Sequence, residues 1–140
     1  MILAAISYNI RTNIMRVQGN LAAQGYRDNM LQPRMLNVID RQREIFQQVY
    51  AYPHTARVNM DFFTQNNFNV LPWPSKSPDL NPIEHLWAEL DRCIRQRQPP
   101  SQFNQLGQAL QHEWQRILQV RIQHLIRSMP IHARRCRTVL

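Results

Sequence analysis

The run Leu71–Leu90, LPWPSKSPDLNPIEHLWAEL, constrains the fold more than any other stretch of this chain. Pro72, Pro74 and Pro78 each fix their own φ and push the preceding residue away from helix, so the segment is a stiff, extended connection. Asn81 suits a helix cap, Pro82 the first helical position and Glu84 the third, which is the spacing of a capping box. Ile83, Leu86, Trp87, Leu90 and Ile94 then recur at helical spacing. A rigid loop therefore delivers a glutamate to the first turn of an amphipathic helix. By local rules Glu84 serves the cap and the helix dipole. It also lies about 100° around the helix from Ile83, at the border of the apolar stripe.

Elsewhere the chain alternates strands and helices. Met1–Tyr8 and Asn13–Val17 read as a β-hairpin. Asn20 can cap a helix over Leu21–Met30, with Pro33 bending or interrupting its continuation to Ile39. Glu44–Val49 reads as a strand, Pro53–Phe63 as a helix ended by Asn66–Asn67, and Phe68–Leu71 as a short strand. Helices follow at Pro82–Arg97 and Ser101–Leu118, split by Pro99-Pro100. A last helix covers Arg121–Met129, with Ile122, Leu125, Ile126 and Met129 on one face.

A chain of 140 residues with 44% hydrophobic side chains can bury a real core and is not disordered by composition. No apolar run reaches the length of a membrane span, and Met1–Ile6 lacks the features of a secretory signal. Cys93 and Cys136 make no metal spacing and read as a reduced pair. His54, His85, His112, His124 and His132 are scattered, with no metal-binding spacing. His54, at a helix start, reads as capping or packing, and His85 as a surface residue. Trp87 and Trp114 fall in apolar stripes and read as core, while Trp73, between two prolines, stays open.

Charge is unevenly spread. Residues 1–91 carry eight basic and eight acidic side chains, whereas residues 92–140 carry nine arginines and one acid, Glu113. Arginine presents a planar fork suited to phosphate, and phosphate neutralisation drives nucleic-acid affinity. A solvated basic face explains the same excess. For DNA contact the candidates are Arg92, Arg95, Arg97, Arg134, Arg135 and Arg137, the last three forming the densest cluster.

The words SPDLNPIEHLW and PHTAR resemble the Tc/mariner superfamily of DNA transposases over residues 1–129, leaving 130–140 as a basic C-terminal tail. The resemblance implies an α/β, ribonuclease H-like catalytic domain with a mixed sheet flanked by helices and a basic helical end. It also implies DNA as substrate, metal-dependent DNA cleavage and strand transfer, and Mg²⁺ or Mn²⁺ as cofactor. It makes Glu84 the last acid of an Asp, Asp, Glu triad, hence both catalytic and metal-binding. The second acid falls at Val49, with 34 residues between it and Glu84. The first acid belongs on a strand ahead of Met1, so the first strand of the sheet is expected to be missing.

Of three carboxylates only Glu84 is then left. One glutamate can hold an ion weakly with help from DNA oxygens, but cannot fix the ion pair that such chemistry uses. The chain is thus expected to be catalytically inactive, to bind metal weakly or not at all, and to keep at most non-specific DNA binding. A sheet without a central strand has open edges, so low stability or self-association is expected. Nuclear localisation follows if the host is a eukaryote. The competing readings are a non-enzymatic interaction module and a non-functional transposon relic.

Overall fold

The computed structural model describes residues 1–17, 19–36, 45–48, 51–72, 77–97 and 102–136, with side chains up to 129. The backbone separates into two compact units: Met1 with Val17–Ser77, and Ile2–Arg16 with Pro78–Leu140.

The first unit opens with the short helix α1 (Ala23–Tyr26). Its cap is Ala22, in extended conformation, and not Asn20 as expected, because the helix begins too late for Asn20 to reach its first N–H groups. The chain runs straight on into a π-helix, Arg27–Met35, with Pro33 inside. Pro33 therefore does not stop the helix. It lacks the N–H that a π-helix uses as an α-helix does, so one backbone bond is missing there while the π winding that began at Arg27 carries on to Met35. Residues 37–44, which include the expected end of this element, lie outside the described residues.

Strand β3 (Ile45–Phe46) pairs in parallel with β4 (Asn69–Val70), Ile45 opposite Asn69 and Phe46 opposite Val70. A parallel pair needs a crossover, and α2 (Tyr52–Thr55) and α3 (Arg57–Gln65) supply it. One continuous helix over Pro53–Phe63 was expected; the structure breaks it at Ala56, where ψ is 144°. Ala56 N–H closes α2 on Tyr52 O at 3.0 Å, and Ala56 O opens α3 by accepting from Asn59 N at 2.9 Å and Met60 N at 3.1 Å. The cause of the break is Asn59. It is fully buried, and its side-chain amide donates to Pro53 O, which a continuous helix would have used for its own backbone. Asn67, at φ 56°, ends α3 as its residue type suggests. Tyr26, Met30, Leu31, Met35, Phe62 and Phe63 are buried here, and Phe46, Phe63 and Phe68 meet edge-on or tilted at 5.1–5.8 Å.

In the second unit, β1 (Ile2–Leu3) and β2 (Met15–Arg16) form the expected hairpin, Ile2 opposite Arg16 and Leu3 opposite Met15. Three helices complete it: α4 (Pro82–Gln96), α5 (Phe103–Arg116) and α6 (Gln119–Cys136). Helix α6 runs seven residues past the expected Met129 boundary, through Pro130 and into the basic cluster. Leu86, Leu90, Trp114, Ile122 and Leu125 form the core, and Trp87 stacks on Trp114 at 5.3 Å. Both tryptophans are thus core, as their spacing indicated. Trp114 Nε1 donates to Thr12 O at 2.8 Å, which ties α5 to the hairpin. Arg11 donates to the carbonyls of Gln115 and Ile117 at the end of α5. Gln119 donates to the carbonyls of Ser7 and Tyr8, both at 3.0 Å. The hairpin tip is therefore anchored to the α5–α6 corner by polar groups that would otherwise lack partners.

Candidate functional site at the start of α4

Pro78–Leu80 makes one 3₁₀ turn, and Asn81 N–H donates back to Pro78 O at 2.8 Å. Asn81 is extended, as a cap must be, and its Oδ1 accepts from Ile83 N at 3.4 Å. Pro82 and Glu84 take the first and third helical positions, as expected. The capping box itself is only half formed. The return bond from Glu84 to the Asn81 N–H is not needed, because Pro78 O already takes that hydrogen.

Glu84 is therefore released from the cap. Its carboxylate makes no hydrogen bond or ion pair with another described residue, and it is half-buried. Burial pushes its pKa above the ordinary carboxylate value, and the neighbouring His85 charge works against that rise. His85 is exposed, with Nε2 3.2 Å from Asp79 O. A partly desolvated carboxylate with no partner among the described residues can accept from a cation or a proton donor.

Val49, Trp73 and Arg137 lie outside the described residues. Among the described residues no three His, Cys, Asp or Glu side chains come together as metal ligands. Among the described residues the donor set at the start of α4 is one carboxylate, fewer than a clamp for two dications needs.

The arginines divide into two groups. Arg95 pairs with Asp91 at 2.7 Å along the exposed face of α4. Arg97 pairs with the buried Glu113 at 2.6 Å, and Arg121 with Glu89 at 3.3 Å. Arg92 and Arg116 are exposed and have no acidic partner among the described residues. Arg134 and Arg135 lie on the helical backbone of α6. Sequence reasoning missed Arg16. Its guanidinium lies 4.6 Å over the exposed Phe103 ring and against Gly107, where an added Cβ would come within 2.9 Å of it. The isolated Gly107 in a helical pattern was its one trace in the sequence.

In the first unit His54 packs, as expected, with its ring 4.1 Å from that of Tyr26, and burial lowers its pKa to about 4. Cys93 is a free thiol. Among the described residues no helix is long and apolar enough to cross a membrane.

Residues 1–107 match the family described as DDE superfamily endonuclease. The Tcb2 transposase of Caenorhabditis briggsae is 38% identical over 113 residues, which is 81% of this chain and 40% of that protein. The Tc1 transposase of Caenorhabditis elegans is 43% identical over 99 residues, 69% of this chain and 34% of that protein. The chain therefore spans well under half the length of these relatives. The crystal structure of the Mos1 mariner paired end complex with Mn superposes with a TM-score of 0.70 at 21% identity, covering 91% of this chain and 38% of that one. The likeness establishes the mixed α/β, ribonuclease H-like fold.

Proposed function

The chain belongs to the DDE superfamily endonucleases, and from that premise we propose that it is a Tc/mariner transposase-derived segment that holds DNA without cutting it. One observation carries the reading. The resemblance puts Val49 at the position of the second catalytic acid and Glu84 at that of the third, so an apolar side chain replaces one of the carboxylates the triad needs. Cleavage and joining by this chemistry use two divalent ions that clamp the attacking and leaving oxygens. Mg²⁺ or Mn²⁺ is the ion the family implies. Val49 offers no ligand, and Glu84 brings a single negative charge, so we derive no step through a metal pair. Binding of either ion is expected to be weak or absent.

A nicking assay on supercoiled DNA with Mg²⁺ or Mn²⁺ tests this for the parent, Val49→Asp and Glu84→Gln. None is expected to cut. Val49→Asp should bind Mn²⁺ more tightly than the parent, and adding Glu84→Gln should cancel the gain. Metal-dependent nicking by the parent that Glu84→Gln removes would sink the inactive reading.

DNA holding rests on charge. The free guanidinium groups of Arg92 and Arg116, with Arg134, Arg135 and Arg137, suit phosphate contacts without base readout. Because α6 continues past Met129, charge substitution is a cleaner probe than truncation. Changing Arg134, Arg135 and Arg137 together to Gln should weaken duplex binding and lower the log–log salt slope by about 2–3, near 0.9 for each phosphate left without its arginine. An unchanged slope would place the DNA-binding surface elsewhere. Sedimentation of the same samples reads whether the chain self-associates. In a eukaryotic host this function belongs to the nucleus.

A further inference from the structure

The Pro53–His54 turn gathers polar atoms that burial has left without partners. Gln48 donates its amide hydrogen to His54 O at 3.2 Å. Asn59 donates its own to Ala23 O at 2.9 Å and to Pro53 O. The two amides thus hang from consecutive carbonyls. Each leaves its oxygen, Gln48 Oε1 and Asn59 Oδ1, buried with no hydrogen-bond partner among the described residues, and so is His54 Nδ1. Asn59 is 0% exposed, so bulk solvent does not reach it. Gln47 Nε2 is also orphaned, but no bond ties it to this turn. The His54 ring is held in place by Tyr26, which is itself buried.

We propose that Gln48, His54 and Asn59 enclose a binding site for one water molecule, which accepts from His54 Nδ1–H and donates to Gln48 Oε1 and Asn59 Oδ1. Hydrogen-bond counting selects both the ligand and the tautomer. Water has two hydrogens to give, and the two amide oxygens use them. A third acceptor at His54 Nδ1 would stay unsatisfied, so that nitrogen must carry the hydrogen. Three such buried partners are the usual number for an internal water. A metal cation is disfavoured because the set contains no carboxylate. An anion is disfavoured because two of the three atoms are oxygens that repel it. The water completes a joint between the end of β3, α2 and α3.

The tautomer provides the test. Long-range ¹H–¹⁵N correlation on the labelled full chain should find His54 protonated at Nδ1 and bare at Nε2, with a cross-peak between Hδ1 and water. In Gln48→Leu, Hδ1 should exchange faster by about tenfold, the weight of one ordinary net hydrogen bond. An Nε2–H tautomer in the parent chain would overturn the proposal, even if the variant failed to fold. So would unchanged Hδ1 exchange in a folded Gln48→Leu. A stoichiometric shift of the His54 nitrogens on adding Zn²⁺ would make this a cation site and overturn it as well.

Discussion

Trp114→Ala is expected to cost the second unit about 3–5 kcal/mol, the range for truncating a buried tryptophan. Trp114 is 1% exposed, stacks on Trp87 at an interplanar angle of 19°, and packs with Leu86, Leu90 and Ile122. Its indole N–H is also the bond from α5 to the hairpin at Thr12 O. The alanine variant loses the packing and leaves that carbonyl without its partner. Trp114→Phe separates the two effects: it keeps most of the volume and drops the hydrogen bond, for about 1–2 kcal/mol. Total stability of a small domain is about 5–15 kcal/mol, so the alanine variant should lose a large share of it. Urea titration followed by Trp87 fluorescence measures both. A loss below about 1 kcal/mol for Trp114→Ala would mean that Trp114 is not the centre of this core.

Acid should destabilise the first unit through His54. Its folded pKa, about 4, lies below the ordinary value of 6.5 because burial opposes the charged form. As pH falls below 6.5 the unfolded chain takes up a proton that the folded chain refuses until about pH 4. The unfolded state therefore binds more protons across that window, and stability drops with falling pH. The drop amounts to about 3 kcal/mol by pH 4 and then levels off. Glu84 acts in the opposite sense. Its raised pKa means the folded state gains a proton first, which favours folding as pH falls through the carboxylate range. The difference between parent and His54→Gln isolates the histidine. Denaturation midpoints at pH 7 and pH 4 should fall in the parent by more than in the variant. Equal falls would show that His54 titrates normally and is not held neutral.

What the sequence revealed was mostly what is decided locally. The start of α4 was legible because Asn81, Pro82 and Glu84 act within four residues of one another. The hairpin was legible from alternation near a polar turn. The break at Ala56 was not, because its cause is Asn59, which reaches back to Pro53 and across to Ala23, 36 positions away. Continuation of the helix past Pro33 was among the readings the sequence allowed, but its π winding was not, because the rules for proline and periodicity assume α geometry. Counting charge by segment set nine arginines against one acid, but Arg121 takes its partner, Glu89, from the neutral part of the chain. A catalytic role for Glu84 is proposed on the resemblance alone. Local rules gave it to the cap, and the carbonyl of Pro78 fills the place its carboxylate would have taken.

Ala56 belongs to two helices at once, since its N–H closes α2 and its carbonyl opens α3. A joint of one residue has two soft coordinates, its own φ and ψ, whereas a linker of several residues has many. Here φ and ψ stand at −57° and 144°, and the bond that crosses the joint is the one from the Asn59 amide to Pro53 O. Bending between the two helices is therefore a motion along two torsions that pulls on that bond. Mechanically, α2 and α3 behave as a bent rod braced by one side chain and not as two rods on a string.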